Sequence, residues 1–81
     1  MEISQALQNA QSIDRVVEII NGGGTSSYSA NEIAGQYAWQ AADQAGYGID
    51  RDNIDGHLGF LIDAGAEFDH AMAIEYALKQ N

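Results

Sequence analysis

The sequence predicts an all-α fold, a small bundle of four or five helices, and three observations carry that expectation. The 81 residues contain no proline, and alanine, the best helix former, recurs throughout. Apolar residues return at spacings of three and four, the period of one helix face. Glycines and capping side chains then divide the chain where such helices have to start and stop.

The first apolar seam is Ile3, Ala6, Ala10, Ile13, Val17 and Ile20. It predicts helix over residues 2–20, in one piece or in two if Ser12 caps a fresh start. Asn21 followed by Gly22, Gly23 and Gly24 ends it, because glycine adopts the left-handed conformation that closes helices. Residues 22–28 read as a flexible loop. Ser29-Ala30-Asn31-Glu32 has the form of a capping box. The helix it opens is expected to reach Ala45, with Gly46 as its C-terminal glycine. Ile33, Ala34, Tyr37, Ala38, Ala41 and Ala45 share one face of that helix, and Gln36, Gln40, Asp43 and Gln44 share the other. Trp39 falls at the edge of the apolar arc.

Tyr47-Gly48-Ile49-Asp50 reads as a connector. A third helix is expected over 52–63, burying Ile54, Leu58, Leu61 and Ile62, with Gly65 beyond its end. Gly56 and Gly59 inside it each cost about 1 kcal/mol relative to alanine, so close packing is their expected use. The last helix is expected over 69–80, with Asp69 as N-cap and Glu75 and Lys79 spaced as an i,i+4 ion pair.

The whole of 1–81 is expected to form a single helical domain. Residues 12–45 and 53–81 look like two copies of a helix–glycine loop–helix unit. Ser12-Ile13-Asp14 parallels Asn53-Ile54-Asp55, and Ala34 to Trp39 parallels Ala73 to Leu78 at an offset of 39 to 41 residues. Such a duplication predicts two hairpins packed about a pseudo-twofold axis, with Tyr37 and Tyr76 in equivalent places. Within the second unit, Leu61-Ile62-Asp63-Ala64-Gly65-Ala66-Glu67 resembles the end of an ankyrin helix. The Thr-Pro-Leu-His turn and the stacked neighbours of that family are missing, so the resemblance carries no function.

Charge is the strongest compositional signal. Twelve Asp and Glu against three Lys and Arg give a formal charge of −9. The segment from 50 to 69 is densest, with Asp50, Asp52, Asp55, Asp63, Glu67 and Asp69 against Arg51. Such a field repels nucleic acid and anionic membranes and attracts basic surfaces; solubility is its plainer use. A chain of this length buries only about 60% of its unfolded surface, which leaves a small core. The absence of cysteine excludes disulfides and thiolate metal sites. No apolar run approaches the ~20 residues of a membrane span, and the N-terminus lacks a signal-peptide pattern, so the cytoplasm is the expected location.

Motifs for chemistry are few. Asp50, Asp52, Asp55 and Gly56 suggest the oxygen-rich calcium loop of an EF-hand, but the register puts Arg51 first and Ile62 twelfth, where ligands belong. The same acids suit a helix start, where the dipole favours negative charge. Glu67-x-x-His70 has the spacing of di-iron bundles without the second motif they require, and His57 sits near a buried arc. The run from Gly22 to Ser27 lacks the Gly-Lys-Ser/Thr end of a phosphate loop, and no serine sits in a nucleophile elbow. No enzymatic role, metal or cofactor is therefore expected.

The expected function is a non-enzymatic inhibitor or adaptor that docks on a basic, nucleic-acid-binding protein without binding nucleic acid itself. Its acidic contact is expected at Asp50, Asp52, Asp55, Asp63, Glu67 and Asp69. Trp39 and Tyr47 would be aromatic anchors of the kind enriched at interfaces. In size, acidity and lack of a catalytic motif the chain resembles the small proteins that phages use against bacterial defence, among them anti-CRISPR and anti-restriction DNA mimics. That likeness implies a site of action in the host cytoplasm. It rests on no motif, and a charged fraction of 19% is low for a strong DNA mimic. The alternatives are a homodimeric structural module and a calcium-binding helical domain.

Overall fold

The computed structural model describes residues 13–46 and 48–80. Residues 2–12 of the expected first helix, Ser12 included, lie outside the described residues, as does Tyr47. The described chain is all-α. Its helices are α1 (Ile13–Asn21), α2 (Ala30–Ala45), α3 (Arg51–Asp63) and α4 (His70–Leu78).

Local chemistry sets their ends. Ser29 Oγ accepts from the Glu32 backbone N–H at 3.3 Å, and Glu32 Oε1 accepts from the Ser29 N–H at 3.1 Å, closing the capping box of α2. Asp50 accepts from the Asn53 N–H at 2.9 Å and Asp69 from the Met72 N–H at 3.1 Å, so both are N-caps. At the other ends, α1 and α3 finish in the same Schellman turn. The Gly24 N–H donates to Ile19 O and the Gly23 N–H to Ile20 O; the Ala66 N–H donates to Leu61 O and the Gly65 N–H to Ile62 O. Gly23 and Gly65 take the positive φ these turns need, 94° and 99°.

The segment 22–28, expected to be flexible, is a tied turn instead. Thr25 Oγ1 accepts from the Ser27 and Tyr28 N–H groups, and the Thr25 N–H donates to Tyr28 O at 2.8 Å. The chain passes so close at Gly24 that a Cβ there would sit 2.3 Å from Tyr28 O.

Packing is centred on α2, which lies most extensively against α4, then α3, then α1. Ile20, Ile33, Ile54, Leu58 and Leu61 are the largest fully buried side chains. Each contributes about 1.5–3 kcal/mol by leaving water. Between α2 and α4 the interface is made of small residues: Ala34, Ala38, Ala73 and Ala77 are fully buried. At its closest point a Cβ on Gly35 would lie 2.7 Å from Ala73 O and 2.8 Å from Tyr76 Cδ1. Close helix approach therefore falls on Gly35. Among the described residues outside its own helix backbone, an added Cβ at Gly56 or Gly59 would meet nothing within 4 Å, so no described element packs closely on them as expected.

Two asparagine side chains fasten the first hairpin to the turn of the second. Asn21 accepts from the Glu67 N–H at 2.7 Å and donates to Gly65 O at 3.0 Å. Asn31 accepts from the Asp69 N–H at 2.7 Å. The arrangement of the hairpins is not evenly reciprocal: α3 packs well on α2, whereas among the described residues α1 meets α4 only slightly. Tyr37 and Tyr76 are both half-buried against the core.

Three further expectations change. Gln36, placed on the polar face of α2, is only 6% exposed, because α2 has neighbours on several sides and no single wet face in its first half. Ile62 is 46% exposed, since the buried positions of α3 are Ile54, Leu58 and Leu61 and residue 62 turns away from them. Glu75 and Lys79 form no ion pair; Lys79 is the C-cap, past the last helical residue.

Candidate functional site

The six acids at positions 50, 52, 55, 63, 67 and 69 are all exposed. Their surroundings divide them. Asp50 and Asp69 are engaged as N-caps, and Asp55 pairs with His70 Nε2, joining the outer side of α3 to the start of α4. The His70 ring also stacks on Phe68, centroids 6.2 Å apart. Among the described residues no hydrogen bond or ion pair engages the carboxylates of Asp52, Asp63 or Glu67. Half of the expected contact thus has a role in the fold, and half faces solvent only.

At 100° per residue, Asp52, Gly56, Gly59 and Asp63 fall within about 60° of arc on the side of α3 opposite Ile54, Leu58 and Leu61. Phe60 and Ile62 flank this strip on its two sides, 58% and 46% exposed. The expected anchor Trp39 is instead half-buried against the core, and Tyr47 lies outside the described residues. Among the described residues, Phe60 is therefore the exposed aromatic beside the acids. The sequence carried a signal for it: a helix that buries 54, 58 and 61 cannot also bury 60. The ring of His57 lies 6.0 Å from that of Phe60, at a tilt of 47°.

A concavity lies between the start of α2 and the outer side of α4. Ser29, Glu32, Met72, Glu75, Tyr76 and Lys79 line a groove of about 270 Å³. It is smaller than the ~300–1,000 Å³ of sites that bury a small molecule. Burial raises the Tyr76 phenol above its ordinary pKa, the Glu32 carboxylate and Tyr28 add to the rise, and a hydrogen bond from Gln80 opposes it. Tyr37 is raised by burial alone.

Among the described residues no group of three or more His, Cys, Asp and Glu is placed to hold a metal ion. Asp50, Asp52 and Asp55 stand on the first turns of a regular helix, one capping it and one turned to His70, and do not converge as an EF-hand loop does. Among the described residues no helix is long and apolar enough to cross a membrane. No protein-family model matches the chain, and no curated protein or solved structure matches it.

Proposed function

We propose that the protein is a non-enzymatic binding protein that docks the acidic surface of α3 and the turn after it on a basic surface of a nucleic-acid-binding protein. The inhibitors of bacterial defence that phages make are the class in which it fits. The observation that carries this reading is the exposure of all six acids between Asp50 and Asp69, in a chain of formal charge −9. Carboxylates on a helix are already ordered, so little entropy is lost when they meet a Lys/Arg surface. Complementary charge speeds the encounter and selects against acidic partners.

The test is capture of partners from a nuclease-treated bacterial lysate on the immobilised protein over a salt series, with identification by mass spectrometry. The expected capture is of basic nucleic-acid-binding proteins, released as salt rises. Capture of neutral or acidic proteins only, insensitive to salt, overturns the proposal.

A further inference from the structure

We infer that Asn21–Gly22 is a self-modification site gated by the fold: it is closed while the α3–α4 turn is docked on Asn21, and Asn21 converts to aspartate or isoaspartate when that turn lets go. The sequence has one Asn-Gly pair, and it sits at the end of α1 with both residues exposed. Glycine has no side chain to hinder ring closure on the residue before it, so this dipeptide is a labile setting for an asparagine. In the first step the Gly22 backbone nitrogen attacks Asn21 Cγ. The N–Cγ bond forms, the Cγ–Nδ2 bond breaks, and the displaced amide leaves as ammonia with the proton of the Gly22 N–H. Water then opens the cyclic imide at either carbonyl, giving aspartate or isoaspartate.

The atoms this chemistry needs are held elsewhere in the fold. The Gly22 N–H, the nucleophile, donates to Glu18 O at 2.9 Å. Asn21 Nδ2, the leaving group, donates to Gly65 O at 3.0 Å, and Asn21 Oδ1 accepts from the Glu67 N–H at 2.7 Å. Asn21 is also the last residue of α1, and a helical ψ keeps the next nitrogen out of line with Cγ. Ring closure turns the Asn21 ψ and side chain together, which breaks both bonds to the turn.

Neither product restores the clip. One aspartate oxygen still accepts from the Glu67 N–H, but the other faces Gly65 O, acceptor against acceptor. Isoaspartate adds a carbon to the main chain within the Schellman turn that joins Gly23 to Ile20 and Gly24 to Ile19. The conversion is one-way, and it leaves the hairpins joined more loosely, with the Asn31 bond to the Asp69 N–H still in place.

The experiment incubates the full chain in mildly alkaline buffer, with and without enough urea to unfold it. Conversion is followed by peptide mapping with mass spectrometry and by released ammonia. Asn53, followed by the bulky Ile54, is the reference in the same map and is expected to stay unconverted. Asn21 is expected to convert in urea and about tenfold or more slowly in the folded protein. Gly65→Ala strains the turn at a φ of 99° without touching Asn21 or Gly22. It is expected to speed conversion in buffer about threefold or more and to leave the rate in urea unchanged. Asn21→Asp, which stands for one product, is expected to lower Tm by about 4–8 °C and to speed hydrogen exchange at the Glu67 amide.

Equal conversion of Asn21 in buffer and in urea overturns the inference, as does no conversion in urea. A Gly65→Ala protein that stays folded by circular dichroism and converts no faster than the parent overturns gating by the turn. If that variant does not fold, the comparison of buffer with urea in the parent still decides. An Asn21→Asp protein with the parent's Tm and Glu67 exchange overturns the loosening of the hairpins.

Discussion

Replacing Gly35 by alanine tests how α2 and α4 are joined. The new Cβ would lie 2.7 Å from Ala73 O, 2.8 Å from Tyr76 Cδ1 and 3.2 Å from Tyr76 Cβ. The tyrosine ring can swing, but the carbonyl belongs to the backbone of α4, so relief requires the helices to part by a few tenths of an ångström. Overpacking of this kind costs about 1–3 kcal/mol, here toward the upper end, while alanine favours the helix by about 1 kcal/mol over glycine. The net expectation is a loss of about 1–2 kcal/mol, or roughly 5–15 °C in Tm for a domain of this size. Gly56→Ala is the matched control, since it makes the same chemical change with no described residue outside its own helix backbone in the way. It is expected to gain about 0.5–1 kcal/mol. Both are measured by thermal melts followed by circular dichroism at neutral pH. A Gly35→Ala protein as stable as the parent, or a Gly56→Ala protein as weakened as the Gly35 variant, would refute the close contact.

Asn21→Ala removes both bonds to the α3–α4 turn and is expected to cost about 1–2 kcal/mol in urea unfolding; an unchanged midpoint would show that the clip contributes nothing. Gly24→Ala combines a φ of 93° with a Cβ 2.3 Å from Tyr28 O, and a loss of about 3 kcal/mol or more is expected in the same assay. Because burial raises the Tyr37 and Tyr76 phenols, the folded state disfavours their ionised forms. Their contribution is therefore complete below the unfolded pKa near 10 and is lost as pH rises through the folded values. Stability is expected to fall above about pH 10, and less steeply in Tyr37→Phe; a parent and variant with identical alkaline profiles would count against Tyr37 as a source.

The ends of the helices were legible because they are written in local chemistry. The Ser29–Glu32 box, the Asp69 cap and the glycines at 46 and 65 fall where the sequence placed them. Which side of a helix is covered depends on its neighbours, and there the sequence misled. Gln36 reads as polar surface, yet α2 is enclosed where Gln36 sits. Gly56 and Gly59 read as packing glycines because they interrupt a helix, whereas Gly35 hid within an alanine-rich run and makes the close contact. Of the expected site, the acids could be found by type alone. Their apolar companions Phe60 and Ile62 could be found only by asking which positions of α3 the buried set leaves over. Asp50, Asp55 and Asp69 show that a count of charges does not separate those that hold the structure from those that face solvent.

Ala34, Ala38 and Ala42 lose all contact with water only because helices from both halves of the chain close over α2. Neither hairpin is self-sufficient as a result. Severed in the connector after Gly46, the N-terminal piece keeps its caps but bares the flank of α2 that α3 and α4 had covered, and the C-terminal piece loses the surface on which Ala73 and Ala77 rest. Cleavage at that point is expected to yield two largely unfolded peptides that regain helicity on mixing, as halves of one cooperative unit would.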